Sequence, residues 1–283
     1  MNIMYCGDKN TIDGLIISLL SITKHVQDEL NIYILTMEFK EHKPLGENER
    51  IILEKIVKNK NKKSFVKIID ASKEYKSCEP VANIDTRFTP YCMLRLYADM
   101  FDLPNKILYL DYDVVCNKNF KEFYDIDNTE NEIVGVLDYY GSHFFKKKIY
   151  EKDYLNSGVL LLNMELIKKT NLFFEAREMC KNIKMLMPDQ TALNRLCKTK
   201  KIVDSKYNEQ HKMHDDTVFR HFTTTFKFFP RFKTQTIKPW HIDKLHNVLK
   251  TYCFDDILDE YKKIKENLWY QYFLHQMITM HHF

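Results

Sequence analysis

The chain has 283 residues, above the usual size of one domain, of which 45% are hydrophobic and 29% charged. That balance is ordinary globular usage and excludes a disordered chain. A net charge of +4 is too small at this length to signal nucleic-acid binding, and no apolar run approaches the roughly 18 residues of a membrane span.

Seven cysteines stand singly at 6, 78, 92, 116, 180, 197 and 253, with no CxxC spacing and an odd total. This argues against a disulfide framework and a zinc site. The opening Met1-Asn2-Ile3-Met4-Tyr5 reads directly as a strand, not as a signal peptide, so a reducing cytoplasm is the expected location.

In chain order, residues 2–7 read as extended, 11–25 as helix, 31–36 as extended, 48–58 as helix and 65–70 as extended. Such alternation implies βαβ units and a mainly parallel central sheet flanked by helices, an α/β fold. After a loop over 77–85, Pro90 opens a segment in which Tyr91, Leu94 and Tyr97 recur at helical spacing. Residues 106–110 form a mostly apolar run of the kind buried mid-sheet, and it stops abruptly at Asp111-Tyr112-Asp113. Further strands are expected at 132–138 and 158–163, and helices at 172–185, 189–197 and from 254 onward. The division that results is a large α/β domain over 1–241 and a C-terminal helical extension over 242–283.

Two stretches look outward. From Phe226 to Lys250, six basic residues stand against one acid, Asp243, interleaved with aromatics; a solvated loop and contact with phosphate or an anionic surface both fit. Residues 268–283 are rich in aromatics and contain no Asp, Glu, Lys or Arg. They are expected to pack on the domain or a homodimer partner, or to lie peripherally in the interface of the inner plasma membrane face.

In open α/β sheets ligands bind beyond the carboxyl ends of the strands, where Asp111 and Asp113 fall. Residues i and i+2 share a face if strand geometry persists past Leu110, so the two carboxylates converge. Their mutual repulsion is relieved by a divalent cation, and oxygen ligands suit Mg²⁺ or Mn²⁺ beside substrate phosphates. Both acids are expected in a surface crevice, so replacing either stops turnover with little loss of fold.

Several blocks occur in order: Tyr5-Cys6-Gly7-Asp8-Lys9-Asn10, Tyr91-Cys92-Met93-Leu94-Arg95-Leu96, Tyr109-Leu110-Asp111-Tyr112-Asp113-Val114, Asn156-Ser157-Gly158-Val159-Leu160, Pro188-Asp189-Gln190, His221, and Lys238-Pro239-Trp240-His241. Together, over residues 2–241, they resemble glycosyltransferase family 8, retaining enzymes of the GT-A fold that include bacterial lipopolysaccharide galactosyl- and glucosyltransferases and the glycogenins. The resemblance implies a nucleotide-diphospho-sugar transferase fold. It implies transfer of a hexose from UDP-glucose or UDP-galactose to a saccharide or lipid-linked saccharide, with retention.

It further implies Mn²⁺, or Mg²⁺, on Asp111, Asp113 and His221. Asp8, Asn10, Arg95 and Tyr112 would serve the nucleotide and Lys238 the diphosphate. Asp189, Gln190 and Asn156 would face the transferred sugar, Gly158 would let the backbone approach it, and Asp138 would meet acceptor hydroxyls. Gln190 is too weak a nucleophile for double displacement, so a front-face reaction is expected, in which the leaving phosphate takes the acceptor proton.

Bland readings stand beside these: Asn156-Ser157-Gly158 is an ordinary turn sequence, and Asp189 after Pro188 a helix start. Sixteen residues separate His221 from Lys238, where the family's bacterial members have only a few. Either an excursion over 226–235 has been inserted while its ends still meet, or His221 is a core histidine and His241 or another residue is the ligand. Two rival functions remain. Asp111-Tyr112-Asp113-Val114-Val115 also suits a haloacid-dehalogenase-like phosphotransferase, although that motif normally closes the first strand. A non-catalytic sugar-nucleotide-binding protein would keep the fold without turnover.

Overall fold

The computed structural model describes residues 1–85, 90–141, 153–227, 231 and 233–280, of which 226, 227, 233 and 268–280 are described by backbone alone. Its strands in chain order are β1 (Asn2–Cys6), β2 (Asn31–Thr36), β3 (Phe65–Asp70), β4 (Lys106–Leu110), β5 (Val114–Cys116), β6 (Ile133–Leu137), β7 (Leu155–Asn163), β8 (Lys200–Ile202), β9 (Phe219–His221), β10 (Thr225–Lys227) and β11 (Lys233–Gln235). Seven of them form one sheet in the order β3-β2-β1-β4-β7-β6-β8. Pairs among β3, β2, β1 and β4 are parallel, β7 runs antiparallel to both neighbours, and β8 is parallel to β6. The α/β class and the mainly parallel sheet expected from the sequence are present.

The central strands are apolar on both faces because both are covered. Ile3 and Tyr5 of β1 join one core cluster while Met4 and Cys6 join the other, the two-residue alternation of a pleated strand. On the first face lies α1 (Ile12–His25), buried from Gly14 through Thr23 between the sheet and its helical neighbours. Each Leu or Ile buried in this way contributes about 1.5–3 kcal/mol.

The other face is covered by Pro90–Met100, Leu172–Asn182 and Pro188–Leu196. Pro90–Met100 is a 3-10 helix. With three residues per turn, Tyr91, Leu94 and Tyr97 fall in one line, and all three are buried.

Topology carries the functional consequence. Because β7 is antiparallel, its first residues stand beside the last residues of β4 and β6: Leu110 pairs with Val159 and Leu137 with Leu155. The ends of β1, β4 and β6 and the start of β7 therefore meet at one edge of the sheet. The segment Asn156–Gly158, which reads as a turn or as the lead-in to a strand at 158–163, is in fact the first part of β7. Its backbone is claimed by the sheet, with Asp111 N donating to Gly158 O at 2.8 Å.

The last helix, Asp255–Met280, begins inside the first core cluster through Phe254, Ile257, Leu258 and Tyr261. Lys24 pairs with Asp256 at 2.5 Å and Lys265 with Asp13 at 2.8 Å, which ties its first half to α1. The aromatic side chains after residue 267 lie outside the described ones. No described helix is long and apolar enough to cross a membrane. All seven cysteines are free thiols.

Candidate active site

The two acids converge through a turn and not by continued strand geometry. β4 ends at Leu110, Val114 N donates back to Asp111 O at 3.1 Å, and β5 begins at Val114. This folds Asp111 and Asp113 onto one side as surely as a strand would. β5 then pairs with β9, setting His221 opposite Val114. One ligand atom from each of Asp111, Asp113 and His221 lies within 4.8 Å of the other two, the only such group of three found among the described residues. Two carboxylates and an imidazole suit a first-row divalent ion, with the nitrogen favouring Mn²⁺ over Mg²⁺.

The two acids differ in setting. The Asp111 side chain is 26% exposed, whereas that of Asp113 is 7% exposed. The expectation of two acids in an open crevice thus fails for Asp113, because a cap forms over it from later chain. Lys238 Nζ donates to Asp113 Oδ2, His221 Nε2 lies 3.3 Å from Oδ1, and Phe222 N donates to the Asp113 carbonyl at 3.1 Å. Burial alone would raise the Asp113 carboxyl; the charges of Lys238 and His221 outweigh it and hold the group well below its usual value.

His221 and Lys238 meet at the acids despite the sixteen residues between them. Those residues include β10 and β11, which pair antiparallel, and Thr224 and Thr236 bond across their base at 2.8 Å. The reading in which the ends of an inserted excursion still meet describes this geometry. His241 instead caps its own turn, its Nδ1 receiving Lys238 N at 3.3 Å. Trp240 stacks on Tyr112, ring centroids 5.8 Å apart at 30°. Gly14 of α1 makes room for that stack, since a Cβ there would lie 2.5 Å from the Tyr112 carbonyl oxygen.

Beneath the acids lies a polar floor. Arg95 Nη2 donates to Asp111 Oδ1 at 3.0 Å, Nε lies 3.4 Å from Asp189 Oδ2 and donates to Cys92 O, and Nη1 donates to Ser157 O. Its side chain is 3% exposed and lies over the Tyr109 ring at 4.1 Å. Arg95 is a strut joining β4, β7 and the Pro188–Leu196 helix, buried under the acids. Tyr109, two residues before Asp111 on the same face, donates to Asp111 Oδ1 at 2.6 Å.

Asp189 is the second residue of its helix after Pro188, and Met187 occupies the cap position. The Asp189 carboxylate meets Ser157 Oγ at 3.2 Å, and burial, opposed by Arg95, pushes it above its ordinary value. Gln190 is engaged at both ends: Oε1 accepts from Ser157 N at 3.0 Å and Nε2 donates to Asp138 Oδ2 at 3.2 Å. Asn156 donates to Asp138 Oδ2 at 2.9 Å and accepts from Asn208 Nδ2 at 2.9 Å. Asn208 Oδ1 in turn lies 3.1 Å from His221 Nδ1. That contact orients the imidazole and leaves Nε2 toward the acids.

Asn208 escaped the sequence reading because it sits in irregular chain with no periodicity. Tyr109 could have been found from its two-residue spacing to Asp111. Gly158 does clear space, but for a different group: a Cβ there would lie 2.1 Å from His221 Cε1, so the imidazole fills the room expected for the sugar. Gly158→Ala is expected to displace His221 and weaken Mn²⁺ binding by roughly tenfold or more, as loss of ligand orientation does. Isothermal titration with Mn²⁺ checks this.

Asp8 and Asn10 follow β1 at the same sheet edge. Asp8 is nearly covered: Asn10 Nδ2 donates to Oδ2 at 2.9 Å, Asn10 N to Oδ1 at 3.1 Å, and His42 Nδ1 lies 2.6 Å from Oδ2. Asn10 itself is exposed. On the far side of Asn208 opens a cavity of about 540 Å³ lined by Leu137, Tyr139, Glu209, Gln210, His211 and others. Tyr139 and His211 rings lie 4.6 Å apart there.

The sequence model of glycosyl transferase family 8 matches residues 2–244. A Haemophilus influenzae protein named as a glycosyltransferase is 26% identical over 218 residues, which is 74% of this chain and 63% of that protein. The lipopolysaccharide 1,3-galactosyltransferase of Salmonella typhimurium is 28% identical over 52% of this chain and 48% of its own length. The chain thus spans about half to just under two thirds of these relatives. Among solved structures, an active-site mutant of LgtC superposes with a TM-score of 0.70 at 19% identity, over 92% of this chain and 96% of that one. That likeness gives the GT-A fold. With the family match running from the first strand to the last part of the site, the chain belongs to glycosyl transferase family 8.

Proposed function

We propose that this chain transfers a hexose, glucose or galactose, from a UDP-sugar to a saccharide or lipid-linked saccharide acceptor, with retention and with a divalent cation. The observation that carries this reading is the Asp111, Asp113 and His221 cluster, set beside Lys238 at the edge where four strand ends meet. A bound cation would supply positive charge against the leaving diphosphate. Lys238, whose ammonium stands at the same acids, would bind that diphosphate. Asn10, exposed beside Asp8, and Tyr112, stacked on Trp240, position the nucleotide.

Asp189, Gln190 and Asn156 hold the transferred sugar. Both ends of the Gln190 amide already bond to Ser157 and Asp138, which supports positioning over nucleophilic attack. The bond from the anomeric carbon to phosphate oxygen then breaks as the acceptor oxygen attacks on the same face, and its proton passes to the departing phosphate. The aromatic cavity at Tyr139 and His211, next to Asp138, is a fitting place for the acceptor. Similarity to a Salmonella lipopolysaccharide galactosyltransferase, and to LgtC solved with donor and acceptor sugar analogs, points the same way. The phosphotransferase reading is not favoured, as the family match covers the motif it relied on.

The test is release of nucleoside diphosphate from a panel of UDP-, GDP- and TDP-hexoses with Mn²⁺, Mg²⁺ or EDTA. Turnover of one UDP-hexose, abolished by EDTA, is expected. Undiminished turnover in EDTA would overturn the metal assignment, and tight UDP binding with no turnover would favour a non-catalytic protein.

A further inference from the structure

The Lys238 ammonium donates to Asp113 Oδ2 and to Phe222 O, the latter at 3.0 Å, and its side chain is 18% exposed. The ammonium is delivered by a braced turn. His241 N donates to Lys238 O at 2.9 Å, and Trp240 stacks on Tyr112, the residue between the two acids. The turn is therefore fastened to the same loop it neutralises. His221 Nε2 stands 3.3 Å from the other oxygen of Asp113. Both oxygens of the more buried acid already have partners. A cation that takes Asp113 as ligand must move the ammonium or share Oδ2 with it, and two positive groups this close repel strongly where little water screens them.

We propose that Lys238 is an internal counter-cation of the Asp111, Asp113 and His221 site, which weakens binding of a divalent ion alone, and that a nucleoside diphosphate relieves this by drawing the ammonium off Asp113. The proposal rests on the metal reading given above. Lysine suits this role because its charge sits on a flexible four-carbon stem, so the head can swing while the turn stays fixed. Metal and diphosphate then each favour the other by the same factor, beyond the coordination they share.

The test is Mn²⁺ binding by the full chain, followed by electron paramagnetic resonance of the free ion, without nucleotide and with UDP, corrected for Mn²⁺ held by UDP in solution. Lys238→Met is expected to tighten binding of Mn²⁺ alone by roughly tenfold. It should also shrink the factor by which UDP tightens Mn²⁺ binding. Lys238→Arg, which keeps the charge, should bind Mn²⁺ alone as weakly as the native chain. Lys238→Gln, checked with the others by circular dichroism, repeats the neutral substitution should the methionine variant misfold. If the neutral variants bind Mn²⁺ alone no tighter than the native chain, the counter-cation role is wrong while the metal site stands. If no form binds Mn²⁺ with or without UDP, the metal reading itself has failed.

Discussion

Asp111→Ala is expected to lower donor turnover by on the order of a thousandfold while the protein keeps its melting temperature within a few degrees. Tyr109 and Arg95 lose a partner there, but the Asp111 carboxylate is 26% exposed, so water can fill the gap and bond to both, and Arg95 keeps Asp189 as counter-charge. Asp113→Ala should be as inactive, but with a different stability cost. It strips Lys238 and His221 of their shared partner beneath a cap that Phe222 helps to close. An added destabilisation of about 1–3 kcal/mol is expected, the range for a buried polar group left without its partner. Diphosphate release and urea denaturation measured on both variants separate the two effects. Near-native turnover in either would remove that acid from the metal site, and equal stability of the two would contradict the burial difference.

The second large effect is expected at Arg95. Arg95→Met removes one guanidinium that serves Asp111, Asp189, Cys92 O and Ser157 O together. Two carboxylates then face each other without a counter-charge, and the Asp189 carboxyl, already pushed up by burial, loses the group that opposes the rise. Breaking a buried charge network from one side costs about 3–5 kcal/mol. Turnover should fall by at least the hundredfold typical of a displaced site. Arg95→Lys should rescue little, because one ammonium cannot reach the separate partners of a planar fork. A variant with full stability and a raised Michaelis constant for donor alone would mean instead that Arg95 meets the nucleotide directly.

Much of this site is legible in the order of its residues. The apolar run ending on Asp111-Tyr112-Asp113 marks the carboxyl end of a central strand, because only a strand covered on both faces is apolar throughout and only its end can carry paired acids. The ordered blocks around it carry the family, and with it Asp8, Arg95, Asn156, Asp189, Gln190, His221 and Lys238 as residues that belong together. Their separate duties are less legible. Arg95 reads as a nucleotide contact from its motif, and the motif does not show the bracing of Asp111, Asp189 and Ser157 that its burial adds. Gly158 reads as clearance for a sugar, yet the imidazole of His221 stands there.

Fold class and the membership of the site are thus written locally in the chain, since periodicity and short motifs need no third dimension to be read. Which groups face one another is a matter of packing. The antiparallel course of β7 brings Gly158 to Asp111, and the pairing of β10 with β11 closes the long gap between His221 and Lys238. Asn208, in irregular chain, comes to rest between Asn156 and His221. These contacts join residues from 13 to 52 positions apart. They arise from strand direction and packing against a shared core, and no window of neighbouring residues encodes them.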